Sequence, residues 1–167
     1  MQTFLPSSNI SYSAKSLDNK RLNKQILEGY QILNVLSGES SSGAWRNHPA
    51  VLMWKGYETG LWSYIQHMIS EAKIRGIKTI NNENNLIALK EKCSDRWGKT
   101  PPIFWLNDTK VMRITTTHKA NLFKKDPIFY SQYQYATNSP YNKPCCDGCS
   151  YYWPTHAQRN ELLNANN

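Results

Sequence analysis

Apolar residues recur at helical spacing in the first part of the chain, and this periodicity constrains the fold more than any other feature. Leu22, Ile26, Tyr30, Leu33 and Leu36 fall on one stripe of a helix. We find no convincing segment with the alternating polar and apolar pattern of a β-strand. The 167 residues suit one compact domain. We therefore predict an all-α fold of three to five helices, with a long irregular loop at the C-terminal end.

Capping residues predict where the first helices begin and end. Asp18 can cap free backbone N–H groups at the start of the first helix, and Gly38 ends it. Residues 1–13 are predicted to form an irregular arm. Proline suits the first turn of a helix, so a second helix is predicted from Pro49 to Arg75. Gly56 and Gly60 could break or bend that helix, whose predicted buried face is Val51, Trp54, Leu61, Ile65, Met68 and Ile69.

The rest of the chain carries weaker signals. Residues 81–85 are interpreted as a polar turn, residues 86–93 as a short helix, and residues 101–105 as an extended stretch after two prolines. From residue 130 onward the composition favours a loop. Before that loop, Asp108 is predicted to cap a further helix with apolar spacing at Val111, Ile114, His118 and Leu122.

The charge balance favours a polyanionic partner. The chain has 20 Lys and Arg against 12 Asp and Glu, a formal net charge of +8. A basic surface gains affinity for DNA or RNA through counterion release; the alternative is a basic protein without such a partner. No run of about 18 apolar residues is present, and residues 1–10 do not form a secretory signal. We expect a monomer without a membrane partner, acting in a cytosol, a nucleoid or a virus-infected cell.

One face of the first predicted helix is cationic with a single carboxylate. Arg21, Lys24, Gln25 and Glu28 lie at positions i, i+3, i+4 and i+7, beside the apolar stripe. The simpler interpretation is a solvated face in which Glu28 pairs with Lys24. The functional interpretation is that the cations hold phosphates while Glu28 acts at the sugar. A glycosidic bond breaks through an oxocarbenium-like state, which a nearby anion stabilises.

Two further segments combine cations with groups that could contact nucleic acid. Arg46, Asn47 and His48 precede the second helix, where backbone N–H groups also favour phosphate; the alternative is a structural helix start. Farther along, basic residues are interleaved with aromatic ones, an arrangement in which rings can stack on bases, although any one ring could equally be a core anchor. The candidate nucleic-acid-binding residues of that segment are His118, Lys119, Asn121, Lys124, Lys125 and Tyr130.

These segments together resemble a known family. Residues 17–28 look like the first helix of the pyrimidine dimer DNA glycosylases of the phage endonuclease V type, if one residue is inserted here. His48–Pro49 is similar to the family's Ser-Pro helix start, residues 73–76 to its Lys-Arg-Gly helix end, and residues 127–133 to its C-terminal Pro-x-Trp-Tyr-x-x-Tyr element. The similarity is closer still to uncharacterised bacterial relatives of that family. They share Leu-Asp-x-Lys-Arg-Leu-x-Lys-Gln, Trp-x-Asn-His-Pro-Ala-Val-x-Met-Trp and His-x-x-Asn-Leu-x-x-Lys-Asp-Pro.

The resemblance implies a DNA glycosylase with lyase activity that acts on duplex DNA carrying a damaged or modified pyrimidine. In that family an N-terminal α-amine attacks the sugar C1′ and forms an imine, and a helix-one glutamate, here Glu28, stabilises the cation and moves protons. The target nucleotide is flipped out of the stack. No cofactor is required. The similar region covers most of residues 1–135, which we expect to form the glycosylase-like domain, with residues 136–167 packed on it as a tail.

Two departures from the family pattern affect the predicted mechanism. Family members usually begin Met-Thr and expose a threonine amine after loss of Met. Here Gln2 follows Met1, and a bulky second residue normally prevents that removal, so Met1 would supply the amine. If it does not, Glu28 could activate water and give a glycosylase without strand cleavage. The family also places an arginine at about the position of His118, so phosphate contacts could differ.

A cysteine cluster lies outside the resemblance. Cys146 and Cys149 form a Cys-x-x-Cys pair, and Cys93 or His156 could complete a tetrahedral zinc site that staples the tail. The alternative is a tight turn with free thiols.

Two other functions stay open from the sequence. The chain could be a non-catalytic nucleic-acid-binding module that keeps the fold and the basic groove, as Gln2 would favour. It could also be an RNA-directed hydrolase or a zinc-stapled adaptor.

Overall fold

The described part of the chain is almost entirely helical. A computed structural model describes residues 1–99, 108–136 and 151–155. The helices are α1 (Ile10–Ser16), α2 (Asn19–Leu36), α3 (Pro49–Trp54), α4 (Glu58–Ile74), α5 (Ile80–Cys93) and α6 (Asp108–Lys125). Short 3₁₀ turns lie at Ser94–Arg96 and Ser131–Tyr133, and none of the described residues forms a strand. The predicted helical class is therefore confirmed.

The helix predicted after Asp18 is α2, and its cap forms as expected. The Asp18 side chain accepts a hydrogen bond from the backbone N–H of Arg21 at 2.9 Å, which satisfies a donor in the first turn. From the predicted stripe, Leu22, Ile26 and Leu33 are fully buried. Tyr30 and Leu36 are only partly buried, at the edge of the core.

The core lies mainly between α2 and α4. The two helices approach closely at Gly29, where a Cβ atom would lie 2.7 Å from Cγ1 of Ile65. Real Cβ atoms do not approach that closely, so only glycine allows this spacing. The predicted buried face of residues 49–75 is confirmed, because Val51, Trp54, Leu61, Ile65, Met68 and Ile69 are all buried.

Three predicted boundaries were wrong. The arm at residues 1–13 is not wholly irregular, because Asn9 caps α1 by accepting a hydrogen bond from the Tyr12 N–H. The helix predicted from Pro49 to Arg75 is two helices, which separate where Gly56 adopts a φ of +82°. The polar turn predicted at residues 81–85 lies inside α5, whose buried Leu86 and Leu89 anchor the helix despite its asparagine-rich start.

The first residues of the chain run through the interior as an extended segment. The backbone N–H of Phe4 donates to Oε1 of Gln25 at 2.7 Å, and the Leu5 N–H donates to Nδ1 of His118 at 2.9 Å. The Tyr64 hydroxyl donates to the Phe4 carbonyl at 3.0 Å. Since buried backbone groups need partners, these side chains fix the path of the segment. They thereby bring residues 1 and 2 to the surface beside α2.

Helix α6 lies over this segment and is joined by residues 151–155. The backbone N–H of Tyr152 donates to the Thr117 hydroxyl at 3.2 Å, and the Tyr152 ring is largely buried. The cysteines 145, 146 and 149, His156, and the extended stretch predicted at residues 101–105 lie outside the described residues. Among the described helices, none combines the length and the hydrophobicity needed to cross a bilayer.

Candidate functional site

An open cavity of about 360 Å³ lies where the N-terminal segment meets α2. Met1 and Glu28 both contribute to its wall, together with Trp45 from the loop before α3. Its remaining lining residues are Tyr30, Gln31, Asn34, Val35 and Ser40. The volume lies within the roughly 300–1,000 Å³ that is typical of small-molecule sites.

The Glu28 carboxylate is held from both sides. Its Oε2 accepts a hydrogen bond from the backbone N–H of Gln2 at 3.0 Å, and its Oε1 lies 3.6 Å from Nζ of Lys24. The side chain of Glu28 is 11% exposed, whereas that of Lys24 is 60% exposed. The carboxylate therefore faces the cavity from a partly desolvated position, and its charge acts there more strongly than it would in bulk water.

The N-terminal segment carries its first residue to this carboxylate because of its buried anchors. Gln25 lies one turn before Glu28 on α2, and its Oε1 accepts from both the Phe4 N–H and the Tyr64 hydroxyl, each at 2.7 Å. The side chain of Gln25 thus fixes residue 4, and the Gln2 N–H then reaches Glu28. Glutamine and glutamate at i and i+3 on one helix set the register of the whole segment.

His48 stands beside the cavity and stays neutral. Burial lowers the pKa of His48, the positive N-terminal ammonium lowers it further, and Glu28 opposes the shift. Its Nδ1 accepts a hydrogen bond from the Ala50 N–H at 3.2 Å, which also favours the neutral ring. The charge effects on His48 place both the chain terminus and Glu28 in its electrostatic neighbourhood.

A second group of charges lies at the start of α2. Arg21 Nη1 and the Asp18 carboxylate are 2.5 Å apart, and the Tyr130 hydroxyl donates to the same carboxylate at 2.6 Å. Burial raises the pKa of Asp18, but the hydrogen bonds from Tyr130 and Arg21 outweigh it and hold this pKa below its ordinary value. Tyr130 and Arg21 therefore tie the segment after α6 to α2.

A larger open cavity of about 650 Å³ lies on the other side of Val35. Val35 contributes to the walls of both cavities. The larger one is lined by the cationic residues Arg46, Lys55 and Arg96 and by Asn47. The Glu58 carboxylate at its edge accepts backbone N–H groups of Gly56 and Gly98, each at 2.8 Å. Three cations therefore face a cavity directly beside the one that holds Glu28.

The structure separates the predicted site residues into exposed and buried groups. Met1 and Glu28 meet at the first cavity, and the half-buried ring of His48 packs against Trp45 beside it. Lys119 is half-buried, with its Nζ 5.8 Å from the centre of the Tyr133 ring. Arg21 is also half-buried in the pair described above. The solvent-exposed residues of the predicted set are Lys24, Arg46, Asn47, Lys124 and Lys125.

Four of the predicted nucleic-acid-binding residues are buried in this structure. Gln25, His118 and Tyr130 are fully buried, and Asn121 donates from Nδ2 to the Thr117 carbonyl at 2.8 Å. Their polar groups are directed at the protein itself, so we describe them as residues that hold the site in shape. Burial lowers the pKa of His118 to about 3, against a weaker opposing hydrogen bond with the Tyr152 backbone.

Cys93, the described member of the predicted zinc set, lies at the end of α5. It is buried, and its Sγ lies 3.0 Å from Nη2 of Arg96 and 3.6 Å from Oε1 of Glu39. Within the described residues, no group of three or more potential metal ligands comes together.

Comparison with known families agrees with this geometry. The family model described as pyrimidine dimer DNA glycosylase matches residues 1–85. The chain belongs to this family. The matched residues include the N-terminal segment, α1 to α4 and every residue that lines the Glu28 cavity. No curated protein and no solved structure matched the chain. The family resemblance predicted from the sequence is confirmed, and family membership implies a glycosylase whose substrate is DNA.

Sequence reasoning did not identify two residues at the glycosylase site. Gln2 contributes only its backbone N–H, which no side-chain pattern reveals. Trp45 was noted within a motif but was not assigned to the site, although its ring is 52% exposed. Its position directly before Arg46 and His48, in a loop with four small residues before it, was the available signal.

Proposed function

We propose that this chain is a DNA glycosylase that removes a damaged or modified pyrimidine, with pyrimidine dimers as the first substrate class to test. Glu28 is its catalytic carboxylate. The observation that carries the proposal is that Glu28 and Met1 line one cavity while the Gln2 N–H holds Oε2 at 3.0 Å. An anion in a partly dry cavity beside a sugar stabilises the positive charge that develops as the glycosidic bond breaks.

The α-amine of Met1 is the proposed nucleophile. An α-amine has a pKa of roughly 8, so a useful fraction is unprotonated near neutral pH. Its nitrogen forms a bond to C1′ while the bond from C1′ to the base breaks, and the base leaves with that electron pair. The amine then loses a proton as the iminium forms. Glu28 accepts this proton and can return it to the leaving group.

The cationic surface beside the cavity supplies the contacts to the DNA backbone. Lys24 lies next to Glu28, and Arg46, Lys55 and Arg96 line the neighbouring cavity. A strand whose sugar enters the first cavity would bring its flanking phosphates toward these cations. Such contacts position the duplex without reading its sequence.

Trapping with borohydride distinguishes the candidate functions. The protein is incubated with duplex DNA that carries one pyrimidine dimer, with and without borohydride. Peptide mapping then locates any adduct. A covalent adduct on the Met1 peptide is expected, because reduction fixes the iminium. Alkali-labile sites without an adduct would instead support Glu28-activated water. A salt-sensitive gel shift with neither product would contradict the glycosylase proposal and favour the binding module.

The role of Glu28 is tested by Glu28→Gln, which keeps the shape of the side chain but removes its charge. Glu83→Gln is the matched control, because Glu83 also pairs with a lysine, at 2.6 Å from Nζ of Lys73, but does not line the cavity. Product is expected to be lost in Glu28→Gln with lesion binding intact, and to be unchanged in Glu83→Gln.

A further inference from the structure

Trp45 is exposed at the mouth of the Glu28 cavity. It lines the same wall as Met1 and Glu28, and 52% of its surface remains accessible. Single exposed apolar side chains are common and need no explanation by themselves. Here the exposed ring stands at the opening through which any substrate must approach Glu28.

The backbone of Trp45 is held in a strained conformation. Its φ is +73°, and every other positive φ within the described residues belongs to a glycine. A bulky side chain is a genuine outlier in this region, because its Cβ crowds the neighbouring carbonyl. Glycine would hold the same turn without strain. The position therefore retains an indole ring at an energetic cost, as is typical of residues with a functional role.

The turn after Trp45 fixes the direction of its ring. The His48 N–H donates to the Trp45 carbonyl at 2.9 Å, and the centres of the two rings lie 5.5 Å apart at an interplanar angle of 62°. The His48 ring in turn lies 5.6 Å from that of Trp153, which stacks on Tyr151 at 4.9 Å. Trp45 is thus the exposed end of a row of packed aromatic rings, and a tilted contact with His48 covers at most one face of the indole.

We propose that Trp45 is the stacking surface for the nucleobase that is drawn out of the duplex at the Glu28 cavity. Every base presents a π face, so an aromatic platform recognises the class of ligand without selecting one sequence. The strained turn keeps the ring in place before the base arrives, so little ordering is needed on binding. This inference rests on the proposed function, because it requires the sugar of the same nucleotide to lie beside Glu28.

The test compares two duplexes that differ only in whether a base is present at the target position. One carries a pyrimidine dimer, and the other carries a tetrahydrofuran abasic analogue. In Trp45→Ala, affinity for the dimer duplex is expected to fall by about tenfold, within the range measured for single base–aromatic stacks. Affinity for the abasic analogue should stay within about twofold of wild type, because no base is there to stack. Trp45→Phe should restore most of the loss.

Tyr12→Ala is the matched control, because Tyr12 is also an exposed aromatic residue, at 59%, but does not line the cavity. Circular dichroism and thermal melting of each variant monitor folding. Equal losses on both duplexes, or no loss on the dimer duplex, would overturn the inference. Failure of the proposed function has a different signature, in which wild-type protein releases no base and forms no adduct while the binding comparison can still be read.

Discussion

Single buried polar residues hold the N-terminal segment where the proposed chemistry needs it. His118 is fully buried and accepts the Leu5 N–H through Nδ1, while Gln25 accepts the Phe4 N–H. Both interactions require neutral acceptors at defined positions. Removing either acceptor would leave a buried backbone donor without a partner, which costs about 1–3 kcal/mol.

His118 predicts a pH dependence of stability. Its pKa is about 3 in the folded chain against 6.5 for the free side chain, so below pH 6.5 the unfolded state binds more protons. Stability is therefore expected to fall as the pH decreases from 6.5 toward 3, with a slope from this residue of up to about 1.4 kcal/mol per pH unit. Urea unfolding across this range measures the slope.

The control for that measurement replaces the titrating ring with a neutral acceptor. His118→Gln should flatten the slope relative to wild type, whereas the same change at the exposed His67 should leave it unaltered. Identical slopes in wild type and His118→Gln would refute the assignment.

The site was predictable from the sequence only where side chains carry it. Helical spacing identified Glu28 and its neighbour Lys24, because both residues lie on the polar side of a regular helix. The same spacing placed Gln25 on that face and could not reveal that the N-terminal segment covers it. The positive φ of Trp45 is likewise set by the loop around it and leaves no mark in local composition.

At the scale of elements, the packing of α2 on α4 and the anchoring of α1 position the site. Helix α2 carries Glu28 and depends on close contact with α4 at Gly29. The C-terminal end of α1 is held by Arg75, which donates to the carbonyls of Lys15 and Leu17 at 2.9 and 2.6 Å. The side chain of Arg75 is 21% exposed, and its Nε also donates to Glu71.

Gly29→Ala is expected to destabilise the protein. The new Cβ would meet Cγ1 of Ile65 at 2.7 Å, and this branched side chain has little freedom to move aside. Overpacking of a core costs about 1–3 kcal/mol, which exceeds the gain in helix propensity of about 1 kcal/mol. Denaturant unfolding measures the change. The double variant with Ile65→Ala should lose less than the sum of the two single changes, and strict additivity would argue against the contact.

Arg75→Ala should loosen α1 from α4. It removes charged hydrogen bonds to carbonyls at the end of α1, each worth about 1.5–3 kcal/mol, and a loss of a few kcal/mol overall is expected from unfolding curves. Lys73→Ala is the control, because Lys73 forms an exposed pair with Glu83 that should contribute at most about 1 kcal/mol. Equal effects of the two changes would contradict the role of Arg75.

Strong periodicity made α2 and the buried face of α4 predictable, because both depend on apolar residues at fixed spacing. The first turn of α5 was missed, since its asparagines favour turns locally and only tertiary packing of Leu86 and Leu89 keeps them helical. The break at Gly56 was expected as one of two candidates. Gly60 stays inside α4, and local sequence does not distinguish the two glycines.

For the whole molecule, the net charge of +8 predicts a steep salt dependence of DNA binding. Removing one cation that binds a phosphate should reduce the slope of log K against log salt by about 0.9. Arg46→Ala, which removes a cation from the larger cavity, is therefore expected to lower the slope by about this amount. Gel-shift titrations at several salt concentrations measure it. The exposed Lys78, changed to alanine, serves as the control, and an unchanged slope in Arg46→Ala would exclude this cavity from the DNA path.

The release of base in a single turnover, compared between wild type and Glu28→Gln at saturating enzyme, tests the central claim most directly. If the carboxylate in the Met1 cavity stabilises the developing cation, the variant should bind the dimer duplex normally and release base at least about 100-fold more slowly. Equal rates in the two proteins would contradict the account.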